Sequence, residues 1–193
     1  MFKNPKFIKS AADKSGWIDD AKKEICIVGK SNVGKSTFIN TLVNDNSIAK
    51  TSKKPGCTKL INFFDINDEF RLVDVPGYGY AKQSRSYYDE FEQMMNDYLY
   101  ERDNLAGIIL LIDSRHEPST LDVTMYNVIK ELHVPHIIVA TKGDQLNQSG
   151  KAKYKQNFIK GLKCSSKEDI LLVSCMDKKS FEAVEEKIRE MLK

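Results

Sequence analysis

The feature that most constrains the fold of this chain is a stretch of the form glycine, any four residues, then Gly-Lys-Ser. It follows a short apolar run, Glu24 to Val28, and precedes Lys35 to Val43, where apolar residues recur at helical spacing. In such a strand–loop–helix unit, glycines let the backbone wrap closely, so that consecutive N–H groups converge on phosphate oxygens. The positive end of the following helix adds to this attraction. The pattern therefore predicts a phosphate-binding loop.

Two side chains of this loop have distinct expected roles. Lys35 is expected to reach the β- and γ-phosphates of a bound nucleotide, and the Ser36 hydroxyl to bind Mg²⁺. The residues expected to hold the phosphates are Gly29, Lys30, Ser31, Asn32, Val33, Gly34, Lys35, Ser36 and Thr37.

A second motif, Asp74-Val75-Pro76-Gly77, closes the predicted strand Phe70 to Val75. A carboxylate there can hold the Mg²⁺ shell through water, and a glycine lets a backbone N–H approach the γ-phosphate. Pro-Gly also makes ordinary turns, but its place after a phosphate loop favours the functional interpretation. Thr58, in the polar loop between the motifs, is a candidate third group for Mg²⁺.

The third motif, Thr141-Lys142-Gly143-Asp144, follows a predicted strand from Val134 to Ala140. The Asp144 carboxylate can accept parallel hydrogen bonds from guanine N1–H and N2–H, a pair that adenine does not offer. Lys142 can lay its alkyl stem over the base. Ser174 and Cys175 follow the last predicted strand, where their N–H groups would face guanine O6.

The remaining sequence predicts the architecture around these motifs. Strands alternate with helices, which indicates a mainly parallel sheet covered on both faces. The predicted strands Lys59 to Ile66 and Phe70 to Val75 are too close for a parallel crossover, so we expect them to be antiparallel. Ser119 and Asp122 predict a capped helix start. The length of 193 residues suits one domain, and the cysteines lack metal-type spacing, which favours free thiols in a reducing cytoplasm.

Charge and hydropathy narrow the range of partners. No segment approaches the ~20 apolar residues of a membrane span, so we expect no membrane partner. The formal net charge is only +3, but lysines cluster at three places: the N-terminus, the loop around residues 50–59, and 151–163, which has five lysines and no acid. These clusters fit either an RNA partner, whose phosphates lysines bind with salt-dependent affinity, or a solvated helix face.

In this order, the motifs resemble the EngB/YihA/YsxC family of bacterial ribosome-assembly GTPases. The resemblance covers essentially the whole chain and is carried by GKSNVGKSTFIN (29–40), SKKPGCTKLINFF (52–64), LVDVPGYGYAK (72–82), DSRHEP (113–118) and TKGD (141–144). It implies a Ras-like P-loop GTPase fold, α/β, with a mostly parallel six-stranded sheet that has one antiparallel strand. It also implies one domain over residues 1–193, with a basic N-terminal arm to about residue 22.

The same resemblance implies function. It implies GTP/GDP and Mg²⁺ binding, slow GTP hydrolysis, and a cytoplasmic, monomeric switch that acts on the large ribosomal subunit and its RNA, with links to cell division and septation. The first switch would be Gly56, Cys57, Thr58, Lys59 and Leu60. The γ-phosphate sensor would be Asp74, Val75, Pro76 and Gly77. The base pocket would be Thr141, Lys142, Gly143, Asp144, Val173, Ser174 and Cys175.

The chain departs from the family pattern beside the base. The family commonly has Ala and Lys flanking the base-reading acid, where this chain has Gly143 and Gln145, and its last motif reads Ser-Cys-Met rather than Ser-Ser or Ser-Ala. We expect these departures to weaken nucleotide affinity and to leave the choice of guanine to Asp144.

Catalysis is expected to rest on Lys35, Thr58, Gly77 and Asn32. Tyr78 stands where Ras-type enzymes have a water-orienting glutamine, and a tyrosine cannot orient water in the same way. Catalysis must then rest on the positioning of the substrate and on neutralisation of the charge on its phosphates. Asn32 resembles an asparagine that binds K⁺ in related enzymes, although it also fits an ordinary turn.

Two other functions stay open on the sequence. One is a GTP-dependent scaffold in septation with incidental hydrolysis. The other is a small-molecule kinase, which five scattered arginines disfavour because a kinase lid is rich in arginine.

Overall fold

The computed structural model describes residues 2–49, 60–79 and 85–193. Its strands and helices alternate over most of the chain, as the sequence predicts. The strands are β1 Pro5–Ala11, β2 Glu24–Gly29, β3 Ile61–Ile66, β4 Phe70–Asp74, β5 Leu105–Asp113, β6 His136–Thr141 and β7 Ile170–Leu172. The helices are α1 Lys35–Leu42, α2 Arg85–Glu101, α3 Thr120–Glu131, α4 Gln148–Leu162 and α5 Glu182–Met191.

The strands form one sheet in the order β1-β3-β4-β2-β5-β6-β7. Strand β3 runs antiparallel to both of its neighbours, and the other described pairs are parallel. The fold class is therefore confirmed, including its one antiparallel strand. The β3–β4 hairpin is confirmed as well, because the two strands are joined through a turn at Asn67 and Asp68, both of which have a positive φ.

The sheet has seven strands instead of the six that we expected, because the first half of the predicted N-terminal arm forms β1. This strand pairs with β3 at the edge of the sheet, and its Phe7 ring lies 5.8 Å from the ring of Phe64. Four of its seven residues remain exposed, which is why the segment reads as a solvated arm from sequence. The ladder shifts register between Phe7 and Lys9.

Two apolar layers cover the sheet, one on each face. Helices α1 and α5 pack on one face and α2, α3 and α4 on the other. Strand β2 lies between them: Ile25 and Ile27 contribute to the first layer and Cys26 and Val28 to the second, all fully buried. Burial on both faces is typical of a central parallel strand and explains why its sequence is a continuous apolar run.

The carboxyl ends of β2, β4, β5 and β6 lie at one edge of the sheet, because these four strands are mutually parallel. This edge is where ligands bind in open α/β sheets. No helix in the described part of the chain is long and apolar enough to cross a membrane.

Candidate guanine-nucleotide site

The predicted phosphate loop leads directly from β2 into α1. Asn32 and Gly34 have φ values of +66° and +101°, and Gly34 is the N-cap of the helix. These left-handed conformations suit asparagine and glycine. A turn hydrogen bond of 3.1 Å from Val33 N to Lys30 O folds the loop back. The loop thus presents the first-turn N–H groups of α1, which have no partner within the helix, towards open space, as phosphate binding requires.

Asp74 lies beside this loop, because β4 runs parallel to β2 and pairs Asp74 with Ile27. Its carboxylate accepts a hydrogen bond from the Lys35 ammonium, and the two side chains are 11% and 13% exposed. The structure therefore brings together the lysine and the acid that the sequence selected from motifs 39 residues apart. The Ser36 hydroxyl and the Asp74 carboxylate are hard oxygen donors, the ligand type that Mg²⁺ prefers, so the residues present fit that ion.

Gly77 packs directly on the backbone of the phosphate loop. A Cβ at this position would lie 3.0 Å from Ser31 N and 3.3 Å from Gly29 O, so a larger residue would push the two segments apart. Hydrogen bonds from Ser31 N to Tyr78 O (2.8 Å) and from Tyr78 N to Gly29 O (3.3 Å) hold the two segments together. We call this contact between residues 77–78 and the phosphate loop the Gly77 corner. A change at Gly77 must therefore act on the phosphate loop, and the reverse also holds.

The Tyr78 side chain points away from the phosphate loop and is 7% exposed. Its hydroxyl donates a 2.6 Å hydrogen bond to Asp122 Oδ1, while Asp122 Oδ2 accepts from Ser119 N and Oγ and caps α3. Burial, with the Asp122 charge as the next cause, raises the pKa of Tyr78 well above its usual value. Tyr78 thus stays protonated as a structural donor, and in this conformation it does not take the water-orienting role of a glutamine.

The third motif forms the loop after β6. The Thr141 hydroxyl donates to Val33 O (2.9 Å), which joins the motif to the phosphate loop. Gly143 N donates to Val173 O (2.9 Å), and a Cβ on Gly143 would lie 3.0 Å from that oxygen. Asp144 is exposed, and its Oδ1 accepts from the Ser174 hydroxyl (3.0 Å). The contact orients the carboxylate, and the absence of a side chain at Gly143 is required by close packing.

Two contacts beside the motifs are not predicted by the sequence. Lys142 Nζ donates to Asp113 Oδ2 (2.8 Å) and to Asn32 O (3.1 Å), so Asp113 is part of the same cluster. Asp113 lies within the DSRHEP motif, which contributes to the family resemblance but has no predicted role of its own. The position of Asp113 at the end of an apolar run, next to the other strand ends, is the sequence signal that could have placed it in the site. Phe7 and Ser10 of β1 line the phosphate side of the site, and their distance in sequence gave no such signal.

The described residues around the phosphate loop line a cavity of about 750 Å³. Leu60, the last residue of the predicted first switch, lies on its wall and is 37% exposed. The other four predicted switch residues, Gly56, Cys57, Thr58 and Lys59, lie outside the described residues, so the predicted roles of Thr58 stay predictions. Cys175 is half-buried beside Thr41, and burial raises the pKa of its thiol.

Together, the sheet, the phosphate loop, the Lys35–Asp74 pair and the loop after β6 define a nucleotide-binding protein of the P-loop class. The sequence pattern of the 50S ribosome-binding GTPase family matches residues 24–142. A "Probable GTP-binding protein EngB" from Mesoplasma florum is 50% identical over 92% of this chain and 90% of its own length. The chain therefore belongs to the family of EngB GTP-binding proteins, which are GTPases.

Solved structures agree with this fold. A crystal structure of a probable GTP-binding protein engB superimposes with a TM-score of 0.72, covering 88% of this chain and 98% of that one at 19% identity. The structure of Era in complex with MgGDPNP and a segment of 16S ribosomal RNA has a TM-score of 0.66 at 25% identity, and covers 89% of this chain and 56% of that chain.

Proposed function

We propose that the protein binds GTP and GDP with Mg²⁺, hydrolyses GTP slowly, and uses the nucleotide state as a switch during assembly of the large ribosomal subunit. The observation that carries the proposal is the corner at Gly77. Its backbone is fastened to the phosphate loop on one side, while Tyr78 is bonded to the N-terminus of α3 on the other. A γ-phosphate that draws the Gly77 N–H towards it would therefore also act on Tyr78 and, through Tyr78, on the N-terminus of α3.

Binding exchanges one partner of Lys35 for another. Without nucleotide, the Lys35 ammonium is neutralised by Asp74. The β- and γ-phosphates offer it a stronger charge, so Asp74 would be free to hold Mg²⁺ through water, and the Ser36 and Thr58 hydroxyls would hold the ion directly. Mg²⁺, when bound, would neutralise charge on the phosphate oxygens.

Hydrolysis relies on positioning, because the Tyr78 hydroxyl is engaged by Asp122. We assign Asn32, which lines the cavity beside the phosphate loop, as the ligand of a K⁺ ion that would supply positive charge. The test compares GTP hydrolysis in K⁺ and in Na⁺ for the wild type and Asn32→Gly, which keeps the backbone conformation and removes the side chain. Stimulation by K⁺ that is lost in Asn32→Gly is expected; equal rates in both salts would contradict the assignment.

The partner surface is the lysine-rich segment 151–163, which covers most of α4 and its C-cap, and a charge argument supports it. Five exposed lysines occur in 151–163, and within the described ranges none of them makes an ion pair with an acid. They are Lys151, Lys153, Lys155, Lys160 and Lys163. An unneutralised basic segment suits the phosphates of ribosomal RNA, whose binding releases counterions. We further propose a cytoplasmic monomer, with any link to septation following from the ribosomal role.

Sedimentation with large ribosomal subunits tests this function. We expect co-sedimentation with a GTP analogue to exceed that with GDP and to fall steeply as salt rises. Replacing Lys151 and Lys155 by Gln should lower it. Replacing Lys130 and Lys187, which are paired with Glu168 and with Glu190 and Asp169, is the matched control. Association that depends neither on nucleotide nor on salt would contradict the proposal.

A further inference from the structure

Asp113 ends β5 at the nucleotide edge of the sheet, directly beside Thr141 in the parallel ladder with β6. Its carboxylate is four-fifths buried and has two basic partners. Arg115 contacts it through Nη2–Oδ2 (2.7 Å) and Nε–Oδ1 (2.9 Å), and Lys142 through Nζ–Oδ2 (2.8 Å). Burial alone raises the pKa of Asp113, but the hydrogen bonds from Arg115 and Lys142 outweigh it and lower the pKa well below its usual range. Asp113 is therefore a fixed negative charge.

Lys142 has a left-handed backbone, with φ 60° and ψ 35°, and its side chain contacts both the end of β5 and the phosphate loop. The ammonium then lies between two acceptors, Asp113 Oδ2 and Asn32 O, the latter in the phosphate loop. A free lysine side chain has many rotamers, and holding its ammonium group restricts the alkyl stem that is expected to lie over the base. Restricting the stem before the nucleotide arrives removes an ordering cost from binding.

Arg115 extends the same connection to the other side of the base-reading acid. Its Nη1 donates to Gln145 Oε1 (2.9 Å), and Gln145 immediately follows Asp144. Asp113 thus links residues on both sides of Asp144 in the chain: Lys142 directly, and Gln145 through Arg115. The arrangement gives a role to Gln145, one of the departures from the family pattern: its amide oxygen accepts from Arg115, which a lysine at this position could not do.

We propose that Asp113 is a positioning residue for guanine-nucleotide binding, which holds Lys142 over the base and, through Arg115, steadies the loop that carries Asp144. The inference rests on the proposed nucleotide site and adds to it a residue that does not touch the ligand. Because the base is common to GDP and GTP, the contribution of Asp113 must be the same for both nucleotides. Part of this contribution must pass through Lys142, and the rest through Arg115.

The test is a double-mutant cycle of Asp113→Ala and Lys142→Ala, with the affinities for GDP and for a GTP analogue measured by titration. Asp113→Ala should weaken both by roughly tenfold, and Asp113→Asn, which keeps one acceptor oxygen, by less. The KM for GTP should rise by the same factor while kcat is unchanged. In the Lys142→Ala background, Asp113→Ala should cost clearly less than in the wild type, because the contact with Lys142 is already lost and only the contact with Arg115 remains.

Asp20→Asn is the matched control, since Asp20 is also held by an arginine, through Arg71 Nη1 (2.7 Å) and Nη2 (2.5 Å), but lies outside the site. It should leave nucleotide affinity unchanged. The inference alone would be overturned by additive losses in the cycle, or by an Asp113→Ala affinity within twofold of the wild type. A wild type that does not prefer GDP to ADP would overturn the proposed function as well. Melting temperatures without nucleotide identify any variant that merely unfolds.

Discussion

Removing one hydroxyl group from Tyr78 tests how the Gly77 corner is held. In Tyr78→Phe, the ring keeps its buried position and the 2.6 Å hydrogen bond to Asp122 is lost. Hydrogen bonds to charged groups contribute about 1.5–3 kcal/mol. Asp122 retains Ser119 N and Oγ as donors at its other oxygen, so the loss belongs at the lower end, about 1.5 kcal/mol. For a chain of this size, that corresponds to a fall in melting temperature of about 3–6 °C.

The assay is urea unfolding of the nucleotide-free protein, followed by circular dichroism. Tyr100→Phe is the matched control, because Tyr100 is 53% exposed, and its hydroxyl makes no hydrogen bond within the described part of the chain. Tyr100→Phe should leave the free energy of unfolding unchanged. Should Tyr78→Phe unfold at the same urea concentration as Tyr100→Phe, the Tyr78–Asp122 bond does not hold the corner.

The same variant separates a structural from a catalytic tyrosine. Since the hydroxyl is directed at Asp122 rather than at the phosphate loop, kcat of Tyr78→Phe at saturating GTP should lie within about twofold of the wild type. A fall of a hundredfold, which is typical for loss of a general acid or base, would show that Tyr78 reaches the reacting phosphate during turnover.

Three further substitutions probe packing and charge. Gly77→Ala places a methyl group 3.0 Å from Ser31 N, and should lower affinity for a GTP analogue about tenfold more than affinity for GDP in paired titrations; equal losses would contradict this. Gly143→Ala meets Val173 O, so we expect a loss of about 1–2 kcal/mol in urea unfolding, not the gain of a substitution towards the family pattern. Burial raises the pKa of Glu168, but hydrogen bonds to its carboxylate outweigh burial and lower the pKa overall. Ionised Glu168 therefore stabilises the fold above the unfolded pKa of about 4.3, and this stabilisation is lost as pH falls through the lower folded pKa. Glu168→Gln should flatten the acid side of a stability–pH series, and parallel curves would refute that origin.

The nucleotide edge could be predicted from sequence because its motifs are each local. A loop between a strand and a helix, or an acid at the end of a strand, is defined by neighbours in the chain, and parallel strands then bring such ends together. This is why Lys35 and Asp74 meet although they lie far apart in sequence. The order of the motifs along the chain was enough to place them at one edge.

The parts that escaped prediction depend on contacts distant in sequence. Strand β1 is defined by its pairing with β3, 50 or more residues later in the chain, and a register shift after Phe7 breaks its alternation. The Asp113–Lys142 contact is made by a lysine in the left-handed conformation, which no propensity predicts. Tyr78 was recognised as a poor substitute for glutamine, but its partner Asp122 belongs to a helix cap 44 residues away.

We propose that Asp144 is the residue that selects guanine. Its carboxylate would accept two hydrogen bonds from guanine N1–H and N2–H. An Asn amide offers one acceptor and one donor group, which suits the N1–H and the 2-carbonyl of xanthine. The most direct measurement is equilibrium binding of GDP, ADP and xanthosine diphosphate to the wild type and to Asp144→Asn. We predict that the wild type prefers GDP to ADP by more than about a hundredfold and that Asp144→Asn prefers xanthosine diphosphate to GDP. Equal binding of GDP and ADP by the wild type, or an unchanged guanine preference in the variant, would contradict the account.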